Sequence, residues 1–304
     1  MRETLVIGSR RSPLARAQAE RVAQLVRSAW PALEVETTWM DSEGDRRRDE
    51  RLPEIGGKGV FTAALEGALL EADIDVAVHS LKDLPTSLPD GLDLLAVPER
   101  EDPRDVLVTP SCVLLDQLKV GARVGTSSLR RRAQLLSVRP DCRPLDVRGN
   151  VETRLAKLEA GEYDALLLAA AGLKRLGRLQ PGMCFLDPPR WLPAPGQGAL
   201  GLEGRSDDER VRGLLDAIDD AEARSATECE RALLAALGGG CQIPFGALAI
   251  RDSESLTLHA AVFSEDGDTA VRVSTKGDLR DAIGLGRLVA EELRCRGADR
   301  LLSG

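Results

Sequence analysis

Two periods of apolar and polar residues alternate along the chain, and where they switch they mark its elements. "TLVIGS" (4–9) is a short apolar run, the pattern of a buried strand. Pro13 then opens a segment whose Leu14, Gln18, Val22, Leu25, Val26 and Ala29 share one helical face. "EVETTWM" (34–40) alternates and is β-branched, which predicts a strand. The next stretch, "DSEGDRRRDERLPEIGGKG" (41–59), is polar, charged and glycine-rich. It is too long for an ordinary connection and reads as a functional loop or a disordered segment. A helix at about 60–71 and the strand "IDVAVHS" (74–80) follow.

After Pro103 the alternation resumes. "DVLVTP", "ARVGTSS", "CRPLDVRG" and "YDALLLAA" predict strands, with "LRRRAQLLSV" and "VETRLAKLEAG" as helices between them. Such alternation implies an α/β fold with mostly parallel sheets. "VPEREDPRD" (97–105) reads as a crossing between two such units, and the Pro- and Gly-rich "DPPRWLPAPGQGALGLEG" (187–204) as the return. From about 218 the pattern changes. A helix (222–237) ends at Gly238, and "GALAIRD", "LTLHAAVFS" and "TAVRVSTKG" predict three antiparallel strands. A last helix carries Leu285, Leu288, Val289 and Leu293. No internal repeat is present.

At 304 residues the chain implies two or three domains. Its six cysteines are widely spaced with no C-x-x-C pair, which argues against a disulfide framework and makes most of them buried apolar residues. With only His79 and His259, no metal site is expected. The start lacks the apolar core of a signal peptide, and no apolar run is long enough to span a membrane, so a cytoplasmic location is expected. Net charge is −8 and aromatics are 3%, which argues against a nucleic-acid partner.

Chemistry enters at the strand ends, where open α/β sheets bind ligands. Five of them deliver cations: Arg10 and Arg11; Lys82; Arg130, Arg131 and Arg132; Arg148 and Arg154; Lys174 and Arg175. Any single arginine is more readily a solvated surface charge. Recurrence next to helix N-termini, which disfavour cations, calls for an anion. Asp83 is the one acid in these turns that lies beside a Lys, and reads either as a turn residue in "KDLP" or as a carboxylate that moves protons or offsets positive charge. His79 reads as a packed core residue, and "GGKG" (56–59) lacks P-loop spacing. Cys241, in "LGGGCQIPFG", has no nearby histidine; it is a structural thiol, a nucleophile or a covalent anchor.

The ordered stretches "GSRRSPLA", "GDRRRDERLPEIGGKGVF", "AVHSLKDLP", "GTSSLRRRAQL", "RGNVETRL", "AAAGLKRL", "PAPGQGAL" and "GGGCQIPFG" together resemble the porphobilinogen deaminase (hydroxymethylbilane synthase) family over nearly the whole chain. The resemblance implies two periplasmic-binding-protein type II-like α/β domains and a small C-terminal α+β domain with an antiparallel three-stranded sheet. Domain 1 would take 1–99 and 197–217, domain 2 100–196 and domain 3 218–304. It implies a transferase that condenses four porphobilinogen molecules head to tail, losing ammonia each time, on a covalent dipyrromethane primer. Hydrolysis then releases hydroxymethylbilane for haem biosynthesis.

By the same resemblance Cys241 carries the dipyrromethane through a thioether, and Asp83 is catalytic. Lys82, Ser128, Arg130, Arg131, Arg148 and Gly149 hold the cofactor; Arg10, Ser12, Arg154, Arg175 and Gln197 hold substrate; Lys58 and Phe61 belong to an active-site loop. Arg11 and Arg132 receive no role. A cytoplasmic monomer without metal, nucleic acid or membrane partner is expected. The rival is a non-catalytic solute- or polyanion-binding protein of the same architecture, which has no use for Cys241. A regulatory ligand-binding domain is the other, and it predicts an attached DNA-binding module that is not evident.

Overall fold

The structure is a computed structural model that describes residues 4–41, 62–239 and 243–302. Two compact units divide the chain: Met1–Glu101 with Ala199–Arg224, and Asp102–Gly198 with Ser225–Gly304.

The first unit holds strands β1 (Thr4–Arg10), β2 (Glu34–Met40), β3 (Val76–Ser80), β4 (Leu92–Ala96) and, late in the chain, β10 (Leu200–Arg205). Their order is β2-β1-β3-β10-β4, with β10 antiparallel to both neighbours. Helix α1 (Pro13–Ala29) starts where Pro13 pre-sets the first turn and the Ser12 hydroxyl accepts from Ala15 N (3.3 Å). Its Ala19, Val22, Ala23 and Val26 bury against Leu5, Ile7, Val76 and Leu202. On the opposite face α2 (Ala63–Leu70) covers Ala77, Ile74 and Leu92, while Val211 and Leu215 of α6 (Glu209–Leu215) join the α1 side.

The second unit repeats the topology. Strands β5 (Asp105–Val108), β6 (Arg123–Gly125), β7 (Arg143–Leu145), β8 (Ala165–Ala169) and β9 (Cys184–Leu186) lie in the order β7-β6-β8-β5-β9, with β5 antiparallel to β8 and β9. Helices α3 (Leu129–Val138), α4 (Val151–Glu159) and α5 (Ala170–Arg175) follow β6, β7 and β8. Each five-stranded sheet is thus three parallel strands, one reversed strand and an edge strand. This is the expected pair of α/β sheets, but with a reversed strand in fourth position where the sequence suggested mostly parallel pairing. The reversed β10 falls in the stretch read as a return. Gly201 and Gly204 weaken its strand signal, and a Cβ on Gly204 would lie 2.5 Å from Leu95 Cδ1, so a larger residue there would displace that buried leucine.

The same unit contains the expected antiparallel sheet, β11 (Phe245–Asp252), β12 (Ser255–Phe263) and β13 (Ala270–Asp278), in sequence order. Its inner face packs on Cys229 and Leu233 of α7 (Ala221–Ala236) and on Leu285, Val289 and Leu293 of α8 (Ala282–Cys295). Its outer face places Ala261 and Phe263 against Ala133 of α3 and Leu192. Helix α7 closes with Gly238 N on Ala235 O (3.1 Å) and Gly239 N on Leu234 O (2.9 Å), a Schellman end with Gly238 at positive φ. Among the five described cysteines only Cys142 and Cys229 are buried; Cys112 and Cys295 are exposed, which departs from the expectation of mostly buried thiols. Burial pushes the Cys229 thiol up to about 12, so it is protonated and inert.

Gly267, at the β12–β13 turn, has φ +77°, and a Cβ there would lie 2.4 Å from Ala133 O and 2.7 Å from Ser137 N. Both are backbone atoms of α3, which cannot yield as a side chain does. Gly267→Ala should lower the unfolding free energy by about 2–4 kcal/mol. Urea denaturation measures it, and a loss under about 0.5 kcal/mol would show that the turn lifts freely off the helix.

Candidate functional site

In the first unit, β1 and β3 are parallel neighbours, so their C-terminal ends share one sheet edge. Arg10 ends β1, Ser12 caps α1, and β3 runs directly into a single 3₁₀ turn, Leu81–Asp83. Leu81 and Leu84 are buried with Val97 and Ala199, while Lys82 is half-buried and Asp83 exposed between them. Leu81 N donates to Ala199 O (3.0 Å), and Gln18 Nε2 donates to the Ser80 hydroxyl (2.8 Å), tying α1 to the end of β3. The turn's buried leucines therefore hold the backbone while Asp83 is presented outward. Among the described residues no donor hydrogen-bonds the Asp83 carboxylate. Arg11, left without a role, pairs with Asp41 (3.4 Å).

In the second unit the parallel strands β7, β6 and β8 bring their C-terminal ends to one edge. Ser128 caps α3, accepting from Arg131 N (3.4 Å), and Asn150 caps α4, accepting from Thr153 N (2.9 Å). Because β5 is reversed, its first residue meets their last: Asp105 pairs with Ala169. An acid thereby reaches the edge where the other strands deliver bases. Asp105 is 0% exposed, Arg130 5% and Arg131 7%. Arg130 Nη1 donates to Asp105 Oδ2 (2.6 Å) and to the Leu192 carbonyl (2.6 Å). Arg131 Nη2 and Nε donate to Asp105 Oδ1 (2.7 and 3.1 Å), and its Nη1 to the Leu167 carbonyl (3.0 Å). Trp191 Nε1 and Gln197 Nε2 complete the carboxylate's shell, each at 2.8 Å.

Burial alone would raise the Asp105 carboxyl, but the two guanidiniums outweigh it and hold the group well below the usual carboxylate range. Burial lowers Arg130, offset in part by Asp105. Burial also lowers Arg154, and the charge of Arg131 adds to it, so these two cations act on each other. Arg154 Nε donates to the carbonyl of Gly149 (2.8 Å), whose φ is +106° and whose Cβ would strike Thr153. Arg175 Nη2 donates to the Gly198 carbonyl (2.6 Å), next to Gln197. Arg148 and Arg132 are exposed.

The structure thus joins Arg130, Arg131 and Gln197 through Asp105, sets Arg154 within electrostatic reach, and gathers Arg10, Ser12, Lys82 and Asp83 at the edge of the other sheet. Cys241, Lys58 and Phe61 lie outside the described residues. Sequence reasoning missed Asp105 and Trp191. Only residues following strands were considered, and in an all-parallel sheet a residue that opens a strand lies at the opposite edge. Two successive arginines in the first turn of a short, largely buried helix were the available signal that an internal acid must exist. Among the described residues no group of His, Cys, Asp and Glu could hold a metal, and no helix is long and apolar enough to cross a membrane.

Three cations stand against one acid in the second unit's cluster, the chemistry of a binder of polyacidic ligands. Two family descriptions match in chain order: "Porphobilinogen deaminase, dipyromethane cofactor binding domain" over residues 5–213 and "Porphobilinogen deaminase, C-terminal domain" over residues 225–294. The chain is 47% identical over 304 residues to the porphobilinogen deaminase of Roseiflexus sp. (strain RS-1), covering all of both proteins. To that of Acidothermus cellulolyticus it is 49% identical over 302 residues, covering 98% of this chain and 91% of the relative. The chain belongs to the porphobilinogen deaminase family. Among solved structures it is similar to the methionine-binding protein MetQ (15% identical, 73% of this chain and 92% of that one, TM-score 0.45). Another is the VFT2 domain of Bordetella pertussis BvgS (16% identical, 71% and 87%, TM-score 0.41).

Asp105→Asn should cost about 3–5 kcal/mol at pH 7, because two buried guanidiniums lose their counter-charge. The folded carboxyl titrates below the unfolded one, so its contribution is fully present above about pH 5 and fades as pH falls below about 4. The stability gap between the two proteins, read by urea denaturation across pH, should be flat at neutral pH and narrow in acid. A gap that instead widens as pH falls would contradict the assignment.

Proposed function

We propose that the protein condenses four porphobilinogen molecules head to tail on a dipyrromethane primer attached to Cys241, losing one ammonia per step, and releases hydroxymethylbilane by hydrolysis. In this reading it is a transferase acting as a cytoplasmic monomer without nucleic acid. Its chain divides into three domains, at 1–99 with 197–217, 100–196 and 218–304. One observation carries the reading: the family's dipyrromethane-binding region spans residues 5–213, and within it a buried guanidinium cluster is short of negative charge.

The residues fit the primer chemically. A dipyrromethane built from two porphobilinogens bears four carboxylates, and guanidinium forks grip carboxylates with two parallel hydrogen bonds. Asp105 and the Leu192 and Leu167 carbonyls fix the planes of Arg130 and Arg131, and in this reading the N–H groups they do not use face the primer. The glycine-ended helix α7 and the 2.8 Å bond of Phe245 N to Ile243 O fix the chain on both sides of Cys241. When bound, the dipyrromethane supplies the nucleophilic α-carbon.

Asp83 does the work at the other sheet. Its exposed carboxylate accepts pyrrole N–H groups and offsets the positive charge left on the porphobilinogen methylene as the C–N bond breaks and ammonia departs. With the primer bound, Asp83 would accept the proton released as the new C–C bond forms. Lys82 and Arg10 at the same sheet edge hold acetate and propionate side chains of the substrate.

Intact mass of the purified active protein should exceed that of the bare polypeptide, and Cys241→Ser should abolish the excess. Active protein of bare polypeptide mass would refute the tether. Asp83→Ala should keep the wild-type circular dichroism and retain the added mass while turnover falls about 100-fold or more. Ammonia release and the absorbance of the oxidised porphyrin product measure turnover, and near-normal rates would remove Asp83 from the chemistry.

A further inference from the structure

A buried polar pair lies behind the Asp83 turn, and the chemistry above does not use it. His79 Nε2 is 2.8 Å from Glu203 Oε2, with side chains 6% and 0% exposed. Glu203 Oε1 meets no donor among the described residues, so His79 is the one group that offsets the burial of this carboxylate. His79 lies on β3 opposite Gly201, and Glu203 lies two residues further along β10, opposite Ala77. The two are therefore diagonal neighbours on one face of the sheet.

β10 otherwise specifies its alignment poorly. It pairs with β3 over only Leu200–Glu203, and two of its six residues are glycine. On its other side the ladder to β4 is irregular between Leu202 and Glu203. Glycine-rich strands slip readily. At the far end Arg205 donates to the Leu69 and Ile74 carbonyls (2.8 and 2.9 Å), and at the end that leads to the turn the backbone bond of Leu81 N to Ala199 O (3.0 Å) continues the pairing. There β3 enters Leu81–Asp83 with no intervening residue. A slip of two residues would keep every side chain on its face yet shift the turn by about 7 Å. In the direction that moves Glu203 toward Asp75 it would also take this carboxylate away from its donor, leaving it buried without a partner, which is heavily penalised, whereas the opposite slip sets Glu203 beside His79 and is opposed by the bonds of Arg205 to the Leu69 and Ile74 carbonyls.

We propose that His79 and Glu203 are positioning residues that lock the β3–β10 register and so fix where Lys82 and Asp83 leave the sheet. An apolar pair of similar size would pack as well, but it would tolerate the slip. Specificity of register, not stability, is what the polar contact adds.

The inference rests on the role given to Asp83, and the test separates the two. Wild type, His79→Phe, the double variant His79→Phe/Glu203→Leu, His79→Gln and Asp83→Ala are compared by melting temperature, intact mass, kcat and KM for porphobilinogen. His79→Phe should melt lower, because it strands the carboxylate. The double variant should recover the melting temperature and keep the added mass, while kcat stays about 10- to 100-fold down and KM stays within about twofold. His79→Gln keeps a donor and should fold and restore kcat to within about threefold of wild type. A double variant with wild-type kcat overturns the register lock, as does His79→Gln impaired as deeply as His79→Phe. If Asp83→Ala also turns over normally, the catalytic reading fails; if it stalls while the double variant runs normally, only the lock fails.

Discussion

A single buried carboxylate with two guanidiniums on it governs what the second unit can bind. Taking Arg130 and Arg131 out of water next to each other is unfavourable on both desolvation and repulsion. Asp105 makes it tolerable by accepting from both, with Trp191 and Gln197 filling its remaining lone pairs. The balance stays incomplete. One negative charge faces two positive ones, and Arg154 adds a third within electrostatic reach. A protein that keeps such an excess in a half-buried place gains from a ligand that brings its own carboxylates. Under the proposed function that constraint would favour acid-rich pyrroles over neutral solutes.

The first unit solves the reverse problem. In the proposed reading its reactive acid has to stay open to substrate, and among the described residues no donor holds the exposed Asp83 carboxylate. Precision is moved behind it instead, into Leu81 and Leu84 in the core, the Ser80–Gln18 bond and the His79–Glu203 contact. A cation cluster anchored by an internal acid and an exposed acid backed by an internal pair are two uses of one rule. A polar side chain is placed accurately only when buried neighbours remove its alternatives.

Much of this was legible in the sequence because local signals agreed with the fold. Ser12–Pro13, Ser128 and Asn150 mark helix starts by capping chemistry, and Gly238 marks a helix end. The cations after each parallel strand followed from the rule that ligands gather at carboxyl ends. The failures share one cause. Strand direction is a non-local property, so nothing within 105–108 or 200–205 announces that the strand runs backward. Asp105 opens its strand, so a reading of the residues that follow strands passes over it. The edge strands 92–96 and 184–186 are short and flanked by turn residues, so neither stood out. His79 was rightly read as a core residue, but its partner lies 124 residues away on the unrecognised strand.

The claim at the centre is that the ligand's carboxylates complete a cluster that Asp105 only half neutralises. A crystal structure of the cofactor-loaded protein tests it most directly. The account predicts pyrrole carboxylate oxygens within about 3 Å of guanidinium nitrogens of Arg131 and Arg154, with the bonds of Asp105 to both arginines intact. A loaded protein whose pyrrole carboxylates reach neither guanidinium, or in which Asp105 has been released from both arginines, would contradict it.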